Sequence, residues 1–154
     1  MSREKRVLLI ILVVFGAIQF IQPSRNASKE ILQTDITRVL NVPQRVQDVL
    51  ISSCYDCHSN NTHYPWYSFI QPGAWWMAHH IKEGKQNLNF SEFGSYSNRK
   101  QRNKLRSIEN SIILGTMPIR VYTILHTDAK LTKVNQQLIV TWTDRTRDSI
   151  SKTN

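Results

Sequence analysis

The chain has 154 residues, with 20 Lys and Arg against 11 Asp and Glu. That length builds one domain of ordinary size with a core that supports itself, and the surface is basic. No internal repeat or low-complexity segment is present, so solenoid and linker architectures are excluded.

The chain opens MSREKRVLLIILVVFGAIQFIQPSRN. Arg3, Lys5 and Arg6 precede an apolar run from Val7 to Gly16 that continues less purely to Ile21, and Pro23 and Arg25 close it. This is the pattern of an export signal whose positive end stays in the cytoplasm. Val7 to Ile21 is about 15 residues, long for a signal-peptide core and short of the roughly 20 that span a bilayer comfortably. No small-x-small site and no lipid-bearing cysteine follows. The expectation is therefore an uncleaved signal anchor over residues 1–23, a single transmembrane helix with Gln19 and Gln22 near the interface and some bilayer thinning. The remainder then faces the periplasm from the inner membrane.

Residues 24–40 read as a polar tether, and 41–150 as one all-α domain with long loops. Pro43 suits a helix start, and Val46, Val49 and Leu50 follow at helical spacing, so this helix delivers Cys54 at its end. HSNNTHYPWYSFIQPG is a loop, and AWWMAHHIKEG a short helix ended by Gly84. A helix from Asn98 to Leu114 carries Leu105, Ile108 and Ile112 on one face, with Gly115 as its C-cap. TMPIRVYTILHTDAK reads as a loop with a Pro stop. Thr132 then caps a last helix bearing Val134, Leu138, Ile139 and Trp142. No alternating strand is present.

Both thiols of the chain lie in Cys54-Tyr-Asp-Cys57-His58. A structural disulfide suits an oxidising compartment but closes a tiny loop. A thioredoxin-like pair belongs with a βαβ pattern that is missing here. A zinc site would need two histidines three to five residues apart, a role into which His58 and His63 would have to be pressed. None of these needs a histidine directly after the second cysteine. Covalent haem does: the thiols add to the vinyl groups and the imidazole binds the iron.

One axial position then remains, and the candidates are Met117, Met77, His63, His79, His80 and His126. Met117 follows a helix cap and precedes Pro118, on a loop able to cross the far haem face. Met77 lies among apolar helix residues and reads as core. His79 and His80 point to different faces, so at most one looks inward. Tyr64, Trp66, Tyr67, Trp75 and Trp76 read equally as haem walls or as ordinary core. Five basic residues in NRKQRNKLR (98–106) read as a solvated face. Their functional reading is docking to an acidic redox partner or to anionic headgroups, with nucleic acid excluded outside the cytoplasm.

The order Cys-x-x-Cys-His, YPWY, a Trp-rich helix with a His-Ile pair, LNFS, a Met-Pro loop and a C-terminal helix with Trp resembles a known family. It is the small haem-binding domain of bacterial membrane-anchored cytochrome c-like proteins, and the likeness covers about residues 40–148. Family loops often read Met-Pro-Pro, where this chain has Ile119 after Pro118. The resemblance implies a class I cytochrome c-like fold with His58 and Met117 as the axial pair. The leading expectation is a membrane-tethered monohaem cytochrome carrying haem c, an electron carrier rather than an enzyme. A haem sensor or peroxidase with an open distal position is the second, and a haem-free disulfide domain the third.

Overall fold

Three amphipathic helices make the centre of the molecule, because each repeats its apolar residues at three- and four-residue spacing. The computed structural model describes residues 2–152 of the chain. Its helices are α1 (Arg3–Ile18), α2 (Ile36–Val39), α3 (Gln44–Ser53), α4 (Tyr55–His58), α5 (Gly73–Asn87), α6 (Asn98–Ile113), α7 (Arg120–Leu125) and α8 (Lys133–Lys152). Short 3-10 turns cover Trp66–Phe69, Phe90–Ser95 and Thr127–Ala129. Among the described residues the only extended pairing is an isolated bridge between Ala27 and Asn61. The chain is all-α, as its sequence predicts.

Leu105, Ile108 and Ile112 of α6 pack with Ile139 and Trp142 of α8, and with Val46, Val49 and Leu50 of α3. Phe90 and Phe93 fill the remaining space and are fully buried. Polar groups lock the layers at their edges. Trp142 Nε1 donates to the Asn41 carbonyl at 3.1 Å, and Arg147 of α8 meets Glu109 of α6 at 2.7 Å. Thr132 caps α8 by accepting from the Asn135 amide. Gly115 ends α6 with φ +66°. Its amide bonds to the Ile112 carbonyl and the Thr116 amide to that of Ser111, the paired bonds of a Schellman cap.

Four expectations need correction. Gly84 does not end its helix: α5 continues to Asn87. The glycine serves close approach instead, since a Cβ there would lie 2.5 Å from the Cys57 carbonyl oxygen. The stretch after Met117 is not all loop, because Arg120–Leu125 forms α7. Val134 lies on α8 but is exposed, so the buried stripe of that helix starts lower. Residues 24–40 are no free tether. Ile36 is fully buried, Asp35 caps α2 by accepting from the Thr37 amide, and Asn26 donates to the Ser59 carbonyl and the Thr62 hydroxyl.

At the N-terminus, Ser2 caps α1 and the side chains from Val7 to Phe15 are exposed. Sixteen residues make a rod of roughly 24 Å, against a hydrocarbon core of about 30 Å. No helix among the described residues is long and apolar enough to cross a membrane. Beyond Ile18 the amides of Gln19, Phe20 and Ile21 bond three residues back, so helical winding continues more tightly for one further turn.

Candidate functional site

Cys54 lies where α3 stops and α4 begins, with φ −131° and ψ −37°. The Cys57 and His58 amides both turn back to its carbonyl, at 3.2 and 3.0 Å. One turn therefore carries two thiols and an imidazole. All three face a cavity of about 410 Å³, which Met117 also lines. Its apolar wall includes Leu88, Phe90, Ile108, Ile112 and Leu131. The fold thus brings Met117 to the same cavity as the turn that carries Cys54, Cys57 and His58.

The two thiols are free. Burial pushes the Cys54 thiol up to about 12, reinforced by Cys57. Burial followed by the Asp56 charge puts Cys57 at about 11. Both are neutral S–H groups in the folded chain.

His58 is fixed from behind. Its Nδ1 lies 3.0 Å from the carbonyl oxygens of both Gly84 and Leu88. Two acceptors at one nitrogen require that nitrogen to carry the hydrogen, which leaves Nε2 with its lone pair. Burial lowers the pKa of the ring, opposed by the Leu88 and Gly84 carbonyls. A neutral imidazole, locked in one tautomer by carbonyls behind it, is the form that ligates a metal. The glycine at 84 makes this possible by letting α5 press against the cysteine turn.

Asp56, between the thiols, was not legible as a site residue. It binds three partners: Tyr122 Oη donates to Oδ2 at 2.6 Å, the His63 amide to Oδ1 at 2.8 Å, and the Thr62 hydroxyl to its carbonyl at 2.6 Å. Tyr122 belongs to α7, whose ring stacks on His126 at 4.2 Å, and His126 in turn pairs with the Tyr67 hydroxyl. The cysteine turn, the 59–63 loop and the segment after Met117 are joined at this carboxylate.

Of the other distal candidates, only His80 reaches the cavity. Its Nδ1 donates to the Trp76 carbonyl at 2.9 Å. Met77 is 7% exposed and packs as core. His79 pairs with Glu83 at the surface, and His63 and His126 face a separate pocket. The five aromatics Tyr64, Trp66, Tyr67, Trp75 and Trp76 line none of the cavity, so neither haem wall nor core describes them. Among the described residues no group of three or more His, Cys, Asp or Glu converges to hold a metal ion.

The haem-binding domain family matches residues 13–145, nearly the whole chain. The protein belongs to the haem-binding domain family. No match exists among curated proteins or solved structures. The cavity fits a haem: it is apolar, within the roughly 300–1,000 Å³ of small-molecule sites, and it presents an imidazole with a free lone pair. For a haem-binding domain, Nε2 of His58 is the residue atom best prepared to meet iron.

Proposed function

We propose that this haem-binding protein is a membrane-tethered monohaem c-type cytochrome that carries electrons. The reading rests on one observation: Cys54, Cys57, His58 and Met117 share a single cavity. In it, Cys54 and Cys57 hold haem c covalently. Attachment would add each thiol across a vinyl group, sulfur to one carbon and hydrogen to the other, with no oxidant consumed. Nε2 of His58 would bind the iron from the α4 turn. Met117 or His80 would supply the second axial ligand. His80 belongs to α5, the helix that backs His58, whereas Met117 comes from the segment between α6 and α7, so Met117 is the better choice. Haem supplies the one-electron couple, and His/Met ligation raises its potential and leaves no coordination site for a substrate. The helical fold is of the class I cytochrome c kind.

The tether is α1 with its tighter final turn; its apolar part, Val7 to Ile21, reaches roughly 24 Å and so calls for some bilayer thinning. Arg3, Lys5 and Arg6 hold one end in the cytoplasm, and the haem domain lies in the periplasm. Lys104 lines the cavity on the same helix as Arg99, Lys100, Arg102 and Arg106. Lys104 at the cavity, with further basic residues along the same helix, supports docking of an acidic redox partner.

A second reading has one observation in its favour. Met117 is 42% exposed, which would let it leave the iron and open the distal position, as a haem sensor or peroxidase requires. The deciding experiment uses protein made with haem-attachment machinery present. A denaturing gel stained for haem should show a band at 18.0 kDa, absent in the Cys54→Ala, Cys57→Ala double variant. Carbon monoxide added to the reduced wild type should leave its spectrum unchanged. Loss of haem under denaturation would refute covalent attachment, and ready carbon monoxide binding would favour the second reading.

A further inference from the structure

The end of α1 is bonded rigidly to the domain rather than joined by a flexible hinge. Gln19 accepts from the Gln71 amide at 2.9 Å, and Gln22 donates to the Phe69 carbonyl at 3.1 Å. The Ile21 carbonyl accepts both Gln71 Nε2 and Trp75 Nε1, at 2.8 and 3.0 Å. Arg25 lies over the rings of Phe69 and Tyr64, at 3.9 and 4.5 Å. Around this joint large apolar side chains face outward. Phe20 is 91% and Trp66 76% exposed, and Phe69, Ile70, Trp75 and Trp76 are also exposed.

We infer that the 66–76 segment is a platform that rests on the lipid bilayer surface and fixes the orientation of the haem domain. The inference rests on the membrane tether proposed above. Three observations select lipid as the occupant. The platform surrounds the end of a helix whose apolar side chains are themselves exposed, so the two apolar surfaces are continuous. Its composition is that of an interfacial belt, where Trp and Tyr place amphipathic rings at headgroup level. Arg25 adds a cation at the same level, able to meet lipid phosphate.

The platform is coupled to the haem site through α5. Trp75 lies in the first turn of that helix and Gly84, whose carbonyl holds His58, lies nine residues on. At 1.5 Å per residue the two are roughly 14 Å apart along one rigid rod. A bilayer that holds Trp75 therefore holds the imidazole plane as well. The haem domain, with Lys104 at its cavity, then presents one constant face to whatever approaches along the membrane.

The test uses the full haem-loaded chain in oriented bilayers of phosphatidylethanolamine and phosphatidylglycerol, read by linear dichroism of the haem band. Wild type should show a strong, angle-dependent dichroism. Trp66→Ser with Ile70→Ser should lose most of it while keeping its haem spectrum and its retention after a carbonate wash. Wild-type protein that is retained but isotropic overturns the platform and leaves the tether standing, as does a variant that remains ordered. Release of the wild type by carbonate overturns the tether, and the platform with it. A detergent-soluble dimer that the variant abolishes would assign this face to a second copy instead.

Discussion

The Tyr122 hydroxyl donates to Asp56 Oδ2 at 2.6 Å, which ties α7 to the turn between the two cysteines. Met117 lies five residues before Tyr122, so this one bond limits how far its thioether can drift from the cavity. Tyr122→Phe should keep covalent haem, because neither thiol nor His58 is touched. It should weaken the near-infrared band of sulfur–iron ligation and let carbon monoxide bind. The lost bond to a charged acceptor costs about 1.5–3 kcal/mol, readable as a lower midpoint in urea. An unchanged band would mean that the loop is held by other contacts.

Met117 and His80 are separated by a pair of substitutions. Met117→Ala should remove the near-infrared band, lower the reduction potential and admit carbon monoxide, because thioether ligation favours the ferrous state. His80→Ala should do none of these. The reverse result would make His80 the axial ligand. Met77→Ala is the packing control: it should leave the spectrum alone and cost about 2–5 kcal/mol of stability.

Gly84→Ala tests the close approach of α5 to the cysteine turn. A methyl group there meets the Cys57 backbone, so helix and turn must part. Overpacking of this kind costs about 1–3 kcal/mol, and haem yield should fall because the carbonyls behind Nδ1 of His58 are displaced. Gly16→Ala, with nothing within 4 Å of the added carbon, should have no effect on haem yield. Equal yields from the two variants would show that the turn adapts.

Tethering is checked at the N-terminus. The mature protein should begin near Met1 and stay with membranes through a carbonate wash. A soluble form starting near Ala27 would instead identify a cleaved signal. It would also lack the Arg25 and Asn26 contacts to Ser68, Tyr64 and Ser59, and so should be less stable than the full chain.

What could be read from the sequence was whatever depends on period and spacing. The stripes of α3 and α6 are repeats that burial makes visible, and Cys54, Cys57 and His58 are adjacent in the chain. Met117 could be placed because a helix cap and a proline frame it. Relations made only in three dimensions were not legible. Gly84 looks like a stop signal in one dimension, and only the packing of α5 on Cys57 shows why a hydrogen is needed there. Asp56 is an unconstrained position within the motif until Tyr122, His63 and Thr62 converge on it. The five aromatics read equally as walls for a cofactor or as core, because composition cannot say which way they face.

Gly115 limits this protein in a different manner from Gly84. A side chain at 115 would touch nothing within 4 Å, yet the backbone there is left-handed, with φ +66°. The restriction is one of handedness, not of room. Asn, which tolerates that conformation better than other residues with a side chain, is the mildest replacement, whereas Val would force the cap open. A D-alanine introduced by chemical ligation would fit the turn outright and stiffen the unfolded chain. At Gly84 the added carbon of an L residue meets the Cys57 carbonyl, so there it is room, and not handedness, that forbids a side chain.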